Sequence, residues 1–176
     1  MRRRLFALAL LALPVVVHAE TSGVSATGFT VTFTREVSAP PEKLWAAITQ
    51  VGAWWNSEHT WSGKASNMSI DLRASGCWCE NWDGGSVLHG TVAMIQPGRV
   101  LRFYSNLGPL QDRATSGVLT FAQSAAKDKA ALTLKVTYKI AGPADAGLVE
   151  LAPAVDRVIG EQVKRLVSFA ETGKTE

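Results

Sequence analysis

Cys77-Trp78-Cys79 sets two thiols two residues apart, which in a strand puts both on the same face. Two small apolar side chains or a structural disulfide come first for such a pair, and an oxidising compartment favours the bond. An extended pair lies near the upper Cα separation, about 6.8 Å, that a disulfide spans. A redox pair ranks next. A soft-metal site with His89 as third ligand ranks last, because one CxC without a second paired motif is a weak metal signal. Nothing near the thiols in sequence would lower their pKa, and Glu80 would raise it. His59 follows Glu58 in the loop 56–63, where the two form an acid–base pair at a cavity mouth or simply meet solvent. His89 sits in the predicted strand 86–95. Strict alternation groups Leu88, Val92 and Met94 on the apolar face and leaves His89 outside with Val87 and Thr91. No nucleophile elbow, Gly-rich phosphate loop, HExxH or paired-cysteine zinc pattern is present, so neither a metal nor a cofactor is expected.

Six tryptophans add a second kind of chemistry. Trp45 reads as core. Trp54, Trp55 and Trp61 crowd a loop-rich stretch between helix and sheet, where a packed core needs fewer indoles. Pockets for small molecules are lined by such rings with a few polar groups, so Trp55 and Trp61 are candidate pocket residues.

These side chains belong to a domain that the sequence places after a leader. Arg2, Arg3 and Arg4 precede an apolar run from Leu5 to Val17, and Val17-His18-Ala19 supplies small residues three and one before Glu20. This is the pattern of a signal peptide over residues 1–19. The apolar run is thirteen residues long, too short for a helix to cross a core of about 30 Å. Arg3-Arg4-Leu5-Phe6 loosely resembles a twin-arginine signal, but the short charged region favours ordinary unfolded export. A periplasmic or secreted location is therefore expected. The chain has 18 Lys and Arg against 15 Asp and Glu. Removing three arginines leaves 15 against 15, so no basic surface is left to suggest nucleic acid. No later segment is long and apolar enough to span a membrane.

Residues 20–28 read as a flexible polar leader, and 29–171 as one domain followed by a short tail, 172–176. Phe29, Val31 and Phe33 alternate with threonines, the signature of a half-buried strand. Pro41 then opens a helix with Leu44, Ala47 and Ile48 at helical spacing, and a second short helix or turn carries Trp54 and Trp55. Six further strands follow, in 68–72, 77–82, 86–95, 99–106, 114–123 and 131–140. Asp83-Gly84-Gly85 is a hairpin signal. Val155, Ile159, Val163, Leu166 and Ala170 form the apolar stripe of a long terminal helix, expected to begin near Pro153. Gly160 in its middle costs about 1 kcal/mol relative to alanine, so a bulky core neighbour, a facing backbone or a ligand comes close there. The fold class is α+β, a curved antiparallel sheet of about seven strands wrapped around one long C-terminal helix.

This order of elements resembles the SRPBCC superfamily, with its START-like helix-grip fold, and within it the polyketide-cyclase and Hsp-ATPase-activator-like branch. The likeness is carried by Arg35-Glu36-Val37-Ser38-Ala39-Pro40-Pro41-Glu42-Lys43-Leu44-Trp45-Ala46-Ala47, by Gly76-Cys77-Trp78-Cys79-Glu80 and by Pro97-Gly98-Arg99-Val100-Leu101-Arg102. Leu107-Gly108-Pro109-Leu110 and Pro153-Ala154-Val155-Asp156 complete it. The resemblance implies a cavity for an apolar or amphipathic small molecule. Members that activate the heat-shock ATPase work in the cytosol, so export argues against that partner. The expected ligand-facing set is Trp55, Trp61, Phe103, Leu134, Val136, Tyr138 and Leu166. The expected function is binding of an apolar ligand without an obvious catalytic centre. The alternative is a cyclase- or hydrolase-like enzyme that uses the same cavity, with His59 or Tyr138 in acid–base work.

Overall fold

The structure, a computed structural model, describes residues 18–126 and 131–175. The expected signal peptide, residues 1–19, lies outside these but for its last two positions. Eight strands form one antiparallel sheet: β1 His18–Ser25, β2 Gly28–Val37, β3 Met68–Ile70, β4 Cys77–Trp82, β5 Gly85–Gln96, β6 Val100–Tyr104, β7 Ser116–Ala125 and β8 Leu132–Ala141. Their spatial order is β1-β2-β8-β7-β6-β5-β4-β3. Among the described residues the α-helices are α1 Pro41–Thr49, α2 Val51–Trp54 and α3 Leu148–Thr172. The arrangement is the helix-grip fold.

The eighth strand is β1, in the segment read as a flexible leader. Glu20, Thr21 and Ser22 pair with Thr32, Val31 and Thr30, and the Thr21 hydroxyl donates to Asp156 Oδ1 of α3 at 2.9 Å. The segment carries no alternation because its side chains from Glu20 to Ser25 are exposed. Its ladder with β2 holds it, and backbone pairing leaves no trace in hydropathy.

Elsewhere alternation maps onto burial. In β8, Leu132, Leu134, Val136, Tyr138 and Ile140 are buried while Lys135 and Lys139 are exposed. Pro41 stands at the start of α1, and Leu44, Ala47 and Ile48 are its buried face. Helix α3 begins at Leu148, five residues before the expected start, with Gly147 as N-cap at φ 68° and Pro153 inside the helix. A proline there removes only the single bond its missing N–H would have given to Val149, and the helix continues. Over 25 residues α3 runs roughly 37 Å. A Cβ at Gly160 would meet Phe33 Cε1 at 3.0 Å, so this glycine admits a core ring from β2 rather than a ligand.

Phe33, Phe103, Leu134, Val136, Val163 and Leu166 pack solidly between the sheet and the C-terminal half of α3. The N-terminal half of α3 does not close on the sheet in this way, and the space beneath it is the site described next.

Candidate functional site

Two loops and one helix roof the open end of the sheet. The first loop follows α2 and includes the 3-10 turn Ser57–His59. Its Trp55 Nε1–H donates to the His59 carbonyl at 3.0 Å, and its Asn56 N–H donates to Gln162 Oε1 of α3 at 2.8 Å. The second loop, around the 3-10 turn Gly108–Gln111, is fixed by Tyr138. The Tyr138 hydroxyl donates to the Ser105 carbonyl at 3.0 Å and accepts from Leu107 N–H at 2.9 Å. Burial pushes this phenol well above its ordinary ionisation range, against the smaller opposing effect of those bonds. Its hydroxyl thus ties the loop around Leu107 to the sheet through both of these bonds.

Between these elements lies a cavity of about 500 Å³. Trp55, Leu107, Leu110, Leu151, Val155, Val158 and Ile159 supply apolar wall, Tyr138 and His89 stand on the sheet side, and Glu58, His59, Thr60 and Asp112 bring polar groups. Trp61 is 58% exposed and forms part of the rim. Of the seven expected ligand-facing residues, Trp55, Trp61 and Tyr138 line this space. Phe103, Leu134, Val136 and Leu166 do not; they are in the packed core. Periodicity marks which side chains point inward, and it carries no mark of where the interior is empty.

His89 is the main departure from the expected arrangement. It is buried on the inner face of β5, and its ring stands 5.5 Å from that of Trp78. The cause is a β-bulge. Trp78 pairs with Gly90 but Cys79 pairs with Leu88, so His89 is the extra residue. A bulge breaks the two-residue alternation and turns one side chain to the other face. Leu88, expected inside, is 54% exposed. A second register shift, between Val92 and Met94, leaves Met94 39% exposed.

His89 Nε2 lies 2.8 Å from Glu80 Oε2, with both side chains buried. Glu80 shares the inner face of β4 with Trp78, two residues away. Its carboxylate also accepts the backbone N–H groups of Trp61 at 3.1 Å and Ser62 at 2.5 Å. Burial opposes charge on this carboxylate, yet the hydrogen bonds from Ser62, His89 and Trp61 together hold it below the ordinary 4.5. Burial dominates at His89 and pushes its pKa below 6.5, against the upward pull of Glu80. The pair at neutral pH is therefore an ionised Glu80 and an uncharged His89 whose Nε2–H donates to it. Nδ1 is left as a bare acceptor, and among the described residues none bonds to it.

A second histidine–carboxylate pair stands at the mouth. His59 meets Glu161 of α3, with Nε2 to Oε2 at 3.3 Å, and not its sequence neighbour Glu58. Asn56 Nδ2 donates to Glu161 Oε1 at 2.5 Å. Burial raises the Glu161 pKa, but the bonds from Asn56 and His59 and the charges of His59 and Arg165 bring it below its ordinary value.

Cys77 and Cys79 are joined as a disulfide, with Cα atoms 5.4 Å apart. They are half-buried on the face of β4 opposite Trp78 and Glu80, so they do not converge with His89. The signal that could have found Glu80 was in the sequence: a carboxylate two residues from a tryptophan, on the inner phase of a strand. The signal for His89 was hidden by the bulge.

A curved sheet, a gripping helix and a largely apolar cavity open at its mouth define the class of helix-grip domains. The chain belongs to the family described as polyketide cyclase / dehydrase and lipid transport, which matches residues 28–171, within the SRPBCC superfamily. Solved structures of similar fold include CalU16 from Micromonospora echinospora, at 14% identity and TM-score 0.55 over 92% of this chain and 86% of that one. The Aha1 dimer from Colwellia psychrerythraea is similar at 13% identity and TM-score 0.53, over 82% of this chain and 98% of that one. StfQ, a di-domain ARO/CYC of steffimycin biosynthesis, is similar at 8% identity and TM-score 0.56, over 82% of this chain and 51% of that one. At these identities the likeness is one of fold. No curated protein matches the sequence.

Proposed function

We propose that this chain is exported and that its mature domain, beginning at Glu20, binds an apolar or amphipathic small molecule in the cavity beneath α3. The observation that carries the reading is the cavity itself. Its roughly 500 Å³ falls in the range of about 300–1,000 Å³ usual for small-ligand sites. Its walls are apolar, and its polar groups are few and placed at one side and at the rim. The family's association with polyketides and lipids agrees with such an occupant. The export signal argues for a carrier or scavenger in the periplasm or medium, away from any cytosolic heat-shock ATPase.

An enzyme of the cyclase or hydrolase kind is the second reading, and the Glu80–His89 pair on the cavity wall favours it. Against turnover stands the shortage of a partner for that pair. Tyr138 has its proton committed, and His59 is tied to Glu161 at the mouth.

Equilibrium titration with an apolar reporter dye tests the binding reading. Saturable binding at one site, weakened at least about tenfold by Trp55→Ala, is expected. Absence of saturable binding to a folded protein contradicts it. N-terminal sequencing of protein from the periplasm or medium tests export. A start at Glu20 is expected, and an intact Met1 in the cytoplasm contradicts it.

A further inference from the structure

The cavity has one hydrogen-bonding group built into its apolar side, and that group can only accept. Neutral His89 gives its single N–H to Glu80, and the Glu80 carboxylate is anchored in turn by the Trp61 and Ser62 N–H groups. This chain of donors fixes both the tautomer and the orientation of the ring. The other ring nitrogen, Nδ1, has no hydrogen bond, yet it is not among the buried polar atoms sealed off without a partner. It is open to accessible space. A buried acceptor left unsatisfied costs free energy, so an occupant that donates a hydrogen bond to it gains more than one that only fills volume.

Charge narrows the choice further. Glu58 and Asp112 line the cavity, ionised Glu80 stands behind His89, and among the described residues no lysine or arginine lines it. A carboxylate ligand entering here would meet like charges and no cation.

We propose that the cavity selects an uncharged apolar molecule carrying a hydroxyl group, of the phenol or enol kind, whose O–H donates to His89 Nδ1, with Glu80 as the positioning residue behind it. This rests on the binding reading above and names its ligand class. Fatty-acid carboxylates are disfavoured by the same arrangement.

The test compares four probes of nearly equal size by equilibrium dialysis near pH 7.5: 2-naphthol, naphthalene, 2-methoxynaphthalene and 2-naphthoate. The expected order has 2-naphthol about five- to tenfold tighter than naphthalene and 2-methoxynaphthalene, the worth of one net hydrogen bond. 2-Naphthoate is expected to be weakest. In His89→Phe the advantage of 2-naphthol over naphthalene and 2-methoxynaphthalene disappears. The methoxy probe keeps the oxygen and removes only the proton, so the comparison reads on wild-type protein even if His89→Phe fails to fold. Equal affinities for 2-naphthol and its methyl ether, or a naphthol preference that survives in folded His89→Phe, overturn the hydroxyl proposal and leave the cavity reading standing. If none of the four binds saturably to the wild-type protein, the cavity reading itself fails and the proposal with it.

Discussion

The molecule contains the same pair of side chains twice. At the mouth, His59 and Glu161 meet across 3.3 Å with about a third of each side chain in solvent. On the sheet, His89 and Glu80 meet across 2.8 Å with at most 4% exposed. Water solvates the first pair and can replace either partner. At the second pair burial leaves little room for solvent, so the polar atoms depend on protein or an occupant of the cavity for their partners. Glu80 is answered by two backbone N–H groups as well as the imidazole. The comparison teaches that residue identity does not make a site. The surroundings of the inner pair decide its protonation and leave one acceptor nitrogen unspent.

The largest contrast is expected in stability. Glu80→Ala leaves two loop N–H groups and a buried imidazole without their acceptor, and should cost about 3–5 kcal/mol, as for loss of one member of a buried pair. Glu161→Ala should cost no more than about 1 kcal/mol, the range for exposed pairs. Urea unfolding followed by tryptophan fluorescence measures both. Equal costs would erase the distinction between the two pairs.

Acid should separate them next. His89 has its pKa lowered by folding, so its neutral form contributes stability that is fully present above the unfolded value of about 6.5. As pH falls below 6.5 the unfolded chain takes up a proton that the folded protein refuses, and stability declines until the folded pKa is reached. Glu80 is also lowered; its contribution is present above about 4.5 and is lost as pH falls through its folded value. Melting temperature recorded from pH 8 to 3 should therefore fall in two stages, the upper beginning below about 6.5 and the lower below about 4.5. A folded His89→Gln variant should lack the upper stage, and His59→Gln should keep it. An upper stage that follows His59 instead would reverse the assignment.

How much of this was legible in the sequence depended on whether a strand kept its phase. In β8 the pairing with both neighbours runs without a shift, and the alternation that points Leu134, Val136 and Tyr138 inward matches their burial. In β5 two shifts intervene. Only Val92 of the expected inner trio is inside, and His89 changes face. Bulges depend on how two strands meet, and one strand's hydropathy does not record that. The terminal helix was legible from its stripe. Its cavity was not, because Leu166 and Val155 have the same apolar character while only Val155 borders the empty space. Strand β1 leaves no signal for a third reason: it is held by backbone bonds, and its side chains from Glu20 to Ser25 are exposed.

A smaller effect tests the cavity's other fixed point. Tyr138→Phe removes the hydroxyl that bridges Ser105 O and Leu107 N–H and should cost about 1–3 kcal/mol. Naphthalene affinity should fall only modestly, because the apolar walls remain. A complete loss of fold would mean that the loop after Asn106 carries far more of the stability than its bonds indicate.

The most direct measurement is the protonation state of the two imidazoles, read by long-range nitrogen–proton NMR correlation on uniformly labelled protein near pH 7. For His89 the expected result is a neutral ring with the proton on Nε2 and a pyridine-like Nδ1, and 2-naphthol should shift that Nδ1 resonance while leaving His59 nearly unchanged. An imidazolium at His89, a proton on its Nδ1, or a naphthol response confined to His59 would contradict the assignment of the inner pair as the ligand's anchor.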